Sequence, residues 1–358
     1  MRLLGILAGA TNLPHAVHIY RITMPLAYIE KRSRHKAAWT DGKEMAISFT
    51  QEQIAEIIKS DVIIIGRMIG DNYPMIDKYL EFMKRGGAKL IYETDDDLTQ
   101  QYRDTSNGEN KTSVPFLSSK HIDAFTVTTP YLARQIDKFS AGQPVYVIPN
   151  AVETSYWAQV CRNHEPLYSD KLNIMLVGTP THGDDWTLAH KATLRILDEF
   201  PNTRLLVGGY QPDYIDDSDR IVKLPFVEYM NYPKMLREAD IVLCAIDPHD
   251  LFNHSKSAVK AMEAWSAQRD LGNGIYGGAA VVATNSVVYN GTVRHEKNGL
   301  LVDHNIDSYY DALKRLVKDD LLRRSLQRTG TLDVLKKHSI VTEYRKWLSV
   351  YTQVRRIQ

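Results

Sequence analysis

The sequence predicts an α/β protein made of two Rossmann-like, doubly wound parallel-sheet domains in tandem. Three observations carry this. Short apolar runs alternate with amphipathic stretches almost throughout, the pattern of parallel strands joined by helical crossovers. The alternation stops near residue 152 and starts again near residue 172. The length, 358 residues, is too great for one ordinary core and suits two domains.

The first half reads as strands at 3–8, 45–49, 61–66, 89–93, 124–128 and 145–148, with helices at 51–59, 73–85 and 131–138. Val62-Ile63-Ile64-Ile65 is the β-branched run of a strand covered on both faces. The helix at 73–85 stops at Gly86-Gly87. The second half repeats the pattern, with strands at 173–177, 204–207, 221–224, 241–245, 280–284 and 299–302. Its helices fall at 186–199, 257–267, 306–317 and 321–336. The domains are therefore expected at 1–152 and 172–338, joined by a linker at 153–171 that shows no period. A C-terminal helix within 339–358 is expected to pack back on the first domain. The stretch 268–278, with four glycines, reads as either a mobile loop or a tolerated insertion. In such sheets ligands bind at the carboxyl ends of the strands, and two facing domains form a cleft there.

Composition excludes several classes. The formal net charge is +1, so no global pull toward nucleic acid or membrane is expected. One local basic cluster, Lys31, Arg32, Arg34, His35 and Lys36, reads as a solvated helix end or as an acceptor patch. The two cysteines, Cys161 and Cys244, lack metal-ligand spacing and fit a reducing, cytoplasmic interior. No apolar run approaches the roughly 18 residues of a membrane span. The apolar start reads as a first core strand and not as a signal peptide.

Three segments carry chemistry on their own residues. Met175-Leu176-Val177-Gly178-Thr179-Pro180-Thr181-His182-Gly183 runs from a strand through a tight turn to a helix start. That geometry offers backbone N–H groups and a positive dipole end to a phosphate, with Thr181 and His182 as further donors. Asp184 and Asp185 fit N-capping. In Phe252-Asn253-His254-Ser255-Lys256-Ser257, Lys256 and Ser257 are expected in the first turn of a helix, where a cation and a hydroxyl suit a diphosphate. Glu263 lies nearly two turns further on and can accept two ribose hydroxyls, while Lys260 is expected to face away. Third, Tyr92-Glu93-Thr94-Asp95-Asp96-Asp97 ends a strand in carboxylates.

Together these segments resemble the GT-B glycosyltransferases of the retaining, GT4-like "glycosyl transferases group 1" family. The branch resembled carries a P-T-H loop and an F-N-x-x-K-S-x-x-K-x-x-E helix. The resemblance covers about 145–320 well. It includes Ile148-Pro149-Asn150-Ala151-Val152-Glu153, Ala280-Val281-Val282-Ala283-Thr284 and Asn298-Gly299-Leu300-Leu301-Val302. Ala151 and Ala279 stand where the family has Gly and Pro. The Arg and Lys of the commoner branch's phosphate loop are absent. Glu263 matches the second of the family's two glutamates, and Ser255 stands at the first.

The resemblance implies transfer of a sugar from a nucleoside diphosphate, UDP or GDP, to an acceptor hydroxyl, with retention and without a metal or other cofactor. It implies nucleotide-sugar contacts from Gly178, Thr179, Thr181, His182, Val227, Lys256, Ser257 and Glu263. Asp95 and Asp96 would orient or deprotonate the acceptor. Arg21, in Tyr20-Arg21-Ile22-Thr23-Met24-Pro25, would point from the first helix toward the cleft. Asn12 and Asp97 are candidate acceptor contacts, and His15 and His18 are weaker ones. The acceptor can be a glycan, a small molecule, a protein or modified DNA. A strand ending in D-x-D is also the metal–nucleotide mark of the one-domain GT-A architecture. The other rivals are a DNA-base (hydroxymethylpyrimidine) glycosyltransferase and a non-catalytic sugar-nucleotide-binding protein.

Overall fold

A computed structural model describes residues 1–7, 16–41, 49–66, 76–97 and 117–357. The chain forms two compact units. The first comprises 1–151, 254–257 and 340–358, and the second comprises 152–253 and 258–339.

The first unit carries β1 (Arg2–Leu7), β2 (Lys36–Asp41), β3 (Val62–Gly66), β4 (Lys89–Thr94), β5 (Ala124–Val127) and β6 (Val145–Val147). They form one parallel sheet in the order β2-β1-β3-β4-β5-β6. All of β3 is buried, as a run without a polar face requires. Thr50 opens the Gln51–Lys59 helix with a capping box closed by Gln53. Thr129 caps Pro130–Asp137 by accepting from Leu132 N. The C-terminal helix Ile340–Val354 packs on Met24–Arg32, with the Tyr28 and Tyr344 rings 6.4 Å apart. Arg355 pairs with Asp61 at 2.9 Å.

β2 was not foreseen. The basic cluster divides between the end of the Met24–Arg32 helix and the start of β2, so it is not one helix end. The strand expected at 45–49 lies almost wholly outside the described residues, as does the start of the helix expected from 73.

The second unit carries β7 (Leu172–Gly178), β8 (Thr203–Gly209), β9 (Ile221–Leu224), β10 (Ile241–Cys244), β11 (Arg269–Asp270), β12 (Tyr276–Gly277), β13 (Ala280–Thr284) and β14 (Leu300–Val302). Six of these form a parallel sheet, β9-β8-β7-β10-β13-β14. Counted from β7 as the first, that is the 3-2-1-4-5-6 order of dinucleotide-binding sheets. Its strand order reverses between β7 and β10, which pair directly. The core lies where β7, β8, β10 and β13 meet the Thr187–Glu199 and Ile306–Lys318 helices, around Leu176, Trp186, Ile196, Leu205, Leu243 and Leu313. Burying each such aliphatic side chain stabilises by roughly 1.5–3 kcal/mol.

Two stretches with no expected element form one here. The stretch 153–171, expected as the linker, contains the Thr154–Arg162 helix, which buries Trp157, Ala158 and Cys161. Thr154, Trp157, Ala158 and Cys161 fall at i, i+3, i+4 and i+7, the spacing of a helix buried on one face, so the signal was present in the sequence. The glycine-rich stretch 268–278 is an antiparallel hairpin of β11 and β12.

Candidate nucleotide site

The carboxyl ends of β7 and β10 mark the switch point of the second sheet, where a ligand is expected. β7 ends in Gly178. Its carbonyl accepts from Tyr210 N at 2.9 Å. A Cβ on Gly178 would lie 3.0 Å from Lys260 Nζ and 3.1 Å from both the His182 and the Trp186 rings. On the neighbouring strand Gly209 has φ +80°, and a Cβ there would meet Gly178 O at 2.5 Å. Glycine at both positions lets the two strand ends stay close while side chains gather over the turn.

Beyond Gly178 the chain makes two tight turns, Pro180–His182 and Asp184–Trp186, before the Thr187–Glu199 helix begins. His182 N bonds Thr179 O at 3.0 Å, and Gly183 N bonds Pro180 O at 3.1 Å. Thr181 sits within the first turn. His182 Nδ1 lies 3.1 Å from Asp185 Oδ2. Asp185 is not a plain helix cap: its Oδ1 accepts from Asp247 N at 2.7 Å and from Asn253 Nδ2 at 2.8 Å. The carboxylate thus ties the turn after β7 to the loop after β10, and both loops of the switch point are held by one group.

The helix after β10 begins at Val259. Lys256 and Ser257 therefore precede it, correcting the expectation that they form its first turn. Lys260 does not face away. It is 8 % exposed, and its ammonium donates to Val177 O beneath the Gly178 turn. Glu263, three positions on, is buried. Tyr232 OH donates to its Oε2 at 3.4 Å. Burial, and then the Glu263 carboxylate, hold the Tyr232 phenol well above its ordinary range. Tyr232 packs edge-on to Trp157 at 5.8 Å, and Trp157 Nε1 donates to Tyr229 OH at 3.2 Å. Val227 lies on the extended loop between β9 and the Tyr232–Arg237 helix, half-buried. Gly178, Lys260 and Glu263 thus fall along one line of the second unit. Lys260 was missed although its spacing to Glu263 puts both on one helix face. The Asp185 bracket had no sequence signal, because its partners lie 62 and 68 residues away.

The first unit gathers the others. Asn150 accepts from Arg21 Nη1 at 3.0 Å and donates to Ser257 Oγ at 2.8 Å. Asp97 N bonds Ser255 Oγ at 3.1 Å, and the Tyr131 and His254 rings meet edge-on at 5.4 Å. The loop bearing Lys256 and Ser257 is therefore fixed at the carboxyl ends of β4, β5 and β6. Asp95 and Asp96 are half-buried there. Thr128 Oγ1 donates to Asp95 O at 3.3 Å, and Thr94 Oγ1 to Asp96 O at 2.9 Å.

Two assigned residues do not reach a surface. Arg21 is fully buried. Its Nε pairs with Glu93 Oε1 at 2.8 Å and its Nη1 donates to Ile148 O at 2.6 Å. The guanidinium, expected to point into a cleft, is spent inside the unit because its helical turn packs on β1 and β3, with Glu93 of the adjoining β4 in reach. Asp97, assigned to the acceptor, is likewise fully buried. His18 is buried too. Asn12 and His15 lie outside the described residues.

No protein-family model and no curated protein sequence matches the chain. Solved structures do. Sucrose-phosphate synthase of Thermosynechococcus elongatus aligns with a TM-score of 0.64 at 12% identity, over 99% of this chain and 98% of that one. HepE of Anabaena, in complex with UDP-glucose, aligns at 0.63 and 13%, over 99% and 100%. A glycosyltransferase from Rickettsia africae aligns at 0.65 and 13%, over 100% and 99%. The chain has the GT-B fold. The one-domain GT-A reading of Asp95–Asp97 falls with that, since it leaves the second GT-B sheet without a place. No helix among the described residues is long and apolar enough to cross a membrane.

Proposed function

We propose that this GT-B protein transfers a sugar from a nucleoside diphosphate, UDP in the first instance, to an acceptor hydroxyl. One observation carries the reading: at the strand-order switch of the second sheet, the Gly178 turn, locked by Asp185, stands over Lys260 with Glu263 on the same helix face. Structural neighbours in complex with UDP-glucose, and one described as a glycosyltransferase, support it.

The roles follow from charge. Glu263 accepts the ribose hydroxyls, with Tyr232 orienting its carboxylate, and the loop at Val227 meets the base. Backbone donors of Thr179 and Thr181 receive the diphosphate, with the His182 ring beside them. Negative charge develops there as the glycosidic bond breaks, and Lys256, Ser257 and Lys260 offset it. This cation set replaces the Arg and Lys missing from the phosphate loop, so the proposed reaction runs without a metal. Asp95 or Asp96 receives the acceptor hydroxyl. Retention belongs to the same proposal and rests on the resemblance. Arg21 is a positioning residue for the strand ends that carry the Lys256 loop.

The test is UDP release from UDP-sugars in the presence of mixed glycan and small-molecule acceptors. Release is expected from the wild type and lost in Glu263→Ala. Release that persists in Glu263→Ala at the wild-type KM would overturn the assigned ribose site.

A further inference from the structure

At the other end of β7 and β10 the second unit has a cavity of about 250 Å³ that no step above uses. Arg237, Arg269, Arg323 and Lys171 line it, against Glu238 and Asp240. Both carboxylates are already engaged. Glu238 accepts from Leu167 N at 3.0 Å and Tyr168 N at 3.1 Å, and pairs with His164 at 2.6 Å. Asp240 pairs with Arg269 and accepts from Asn173 N at 2.8 Å.

The arginines are not matched in the same way. Nε of Arg237 and Nε of Arg269 are both buried without a hydrogen-bond partner. Arg269 Nη2 reaches the main chain of Arg237, donating to its carbonyl at 3.1 Å. Two guanidinium groups lining one cavity repel, and buried donors left unmade are costly. Burial, and then the Arg269 charge, lower the Arg237 guanidinium from its ordinary range. An oxyanion between them removes both penalties, and the planar fork of arginine suits a tetrahedral phosphate.

We propose that this cavity is a binding site for a phosphate monoester, separate from the nucleotide site. It opens at Leu172, the first residue of β7, whereas the Gly178 turn closes that strand. A strand rises about 3.3 Å per residue, which places the two ends roughly 20 Å apart. The site does not depend on the proposed glycosyl transfer.

The probe is inorganic phosphate, titrated by calorimetry at constant ionic strength with chloride as the control. Phosphate is expected to bind the wild type, about tenfold or more weaker in Arg237→Gln. Saturating UDP should leave the wild-type titration unchanged. The conservative Arg237→Lys should recover binding in part, which separates lost recognition from lost folding. Phosphate ignored by the wild type, bound equally by Arg237→Gln, or displaced by UDP would each overturn the site.

Discussion

Arg21 Nε lies 2.8 Å from Glu93 Oε1, and both side chains are 1% exposed. The Trp347 ring covers the guanidinium at 5.3 Å, so the C-terminal helix closes over this pair. Burial pushes the Glu93 carboxyl up, and Arg21 and Thr126 oppose that shift. Removing one partner leaves a buried, uncompensated charge, which costs about 3–5 kcal/mol. Arg21→Met alone should lose that much in urea unfolding, and Arg21→Met with Glu93→Leu should regain most of it. A single variant of wild-type stability that no longer turns over would return Arg21 to the substrate.

Lys260 and Gly178 should behave as one device. Lys260→Met removes a charge-assisted contact of about 1.5–3 kcal/mol, so UDP affinity should fall by about tenfold or more. Gly178→Ala inserts a methyl 3.0 Å from the ammonium and should weaken UDP in the same direction. Their combination should be less than additive, because both act on one contact. Strict additivity in calorimetry would separate them.

His190 makes stability depend on acid. Its ring is buried, Nε2 has no hydrogen-bond partner, and burial lowers its pKa from the ordinary 6.5. As pH falls the unfolded chain takes up the proton first, so its contribution is full above about pH 7 and lost toward the depressed folded value. His190→Leu should flatten the fall in unfolding free energy between about pH 7 and pH 5. An unchanged slope would place the titration elsewhere.

Both thiols should be silent in the native state. Burial pushes Cys161 and Cys244 up to about 12, and the thiolate is the reactive form. Iodoacetamide should label neither cysteine in the folded protein and both in urea. Native labelling of Cys244 would contradict its burial in β10.

The parallel sheets were legible because buried strands write themselves as β-branched runs such as Val62–Ile65. β2 was not, since Lys-Ala-Ala-Trp-Thr-Asp is an edge strand with small and polar residues and no alternation. The Thr154–Arg162 helix was legible but missed: Thr154, Trp157, Ala158 and Cys161 keep the helical spacing, although two of the four are small or polar. At the site, local motifs such as the Gly178 turn and Glu263 could be read. The direction of Lys260 could have been read from its spacing to Glu263; the bracket at Asp185 and the burial of Arg21 could not, because each is decided by residues distant in sequence.

The most direct test of the nucleotide site is calorimetric titration with UDP-, GDP-, ADP- and TDP-sugars, with and without EDTA, repeated on Lys256→Ala. The expected result is one preferred base, UDP, bound equally well in EDTA and weakened in the variant. Binding that needs a metal and ignores Lys256, or no binding of any nucleotide sugar, would contradict it.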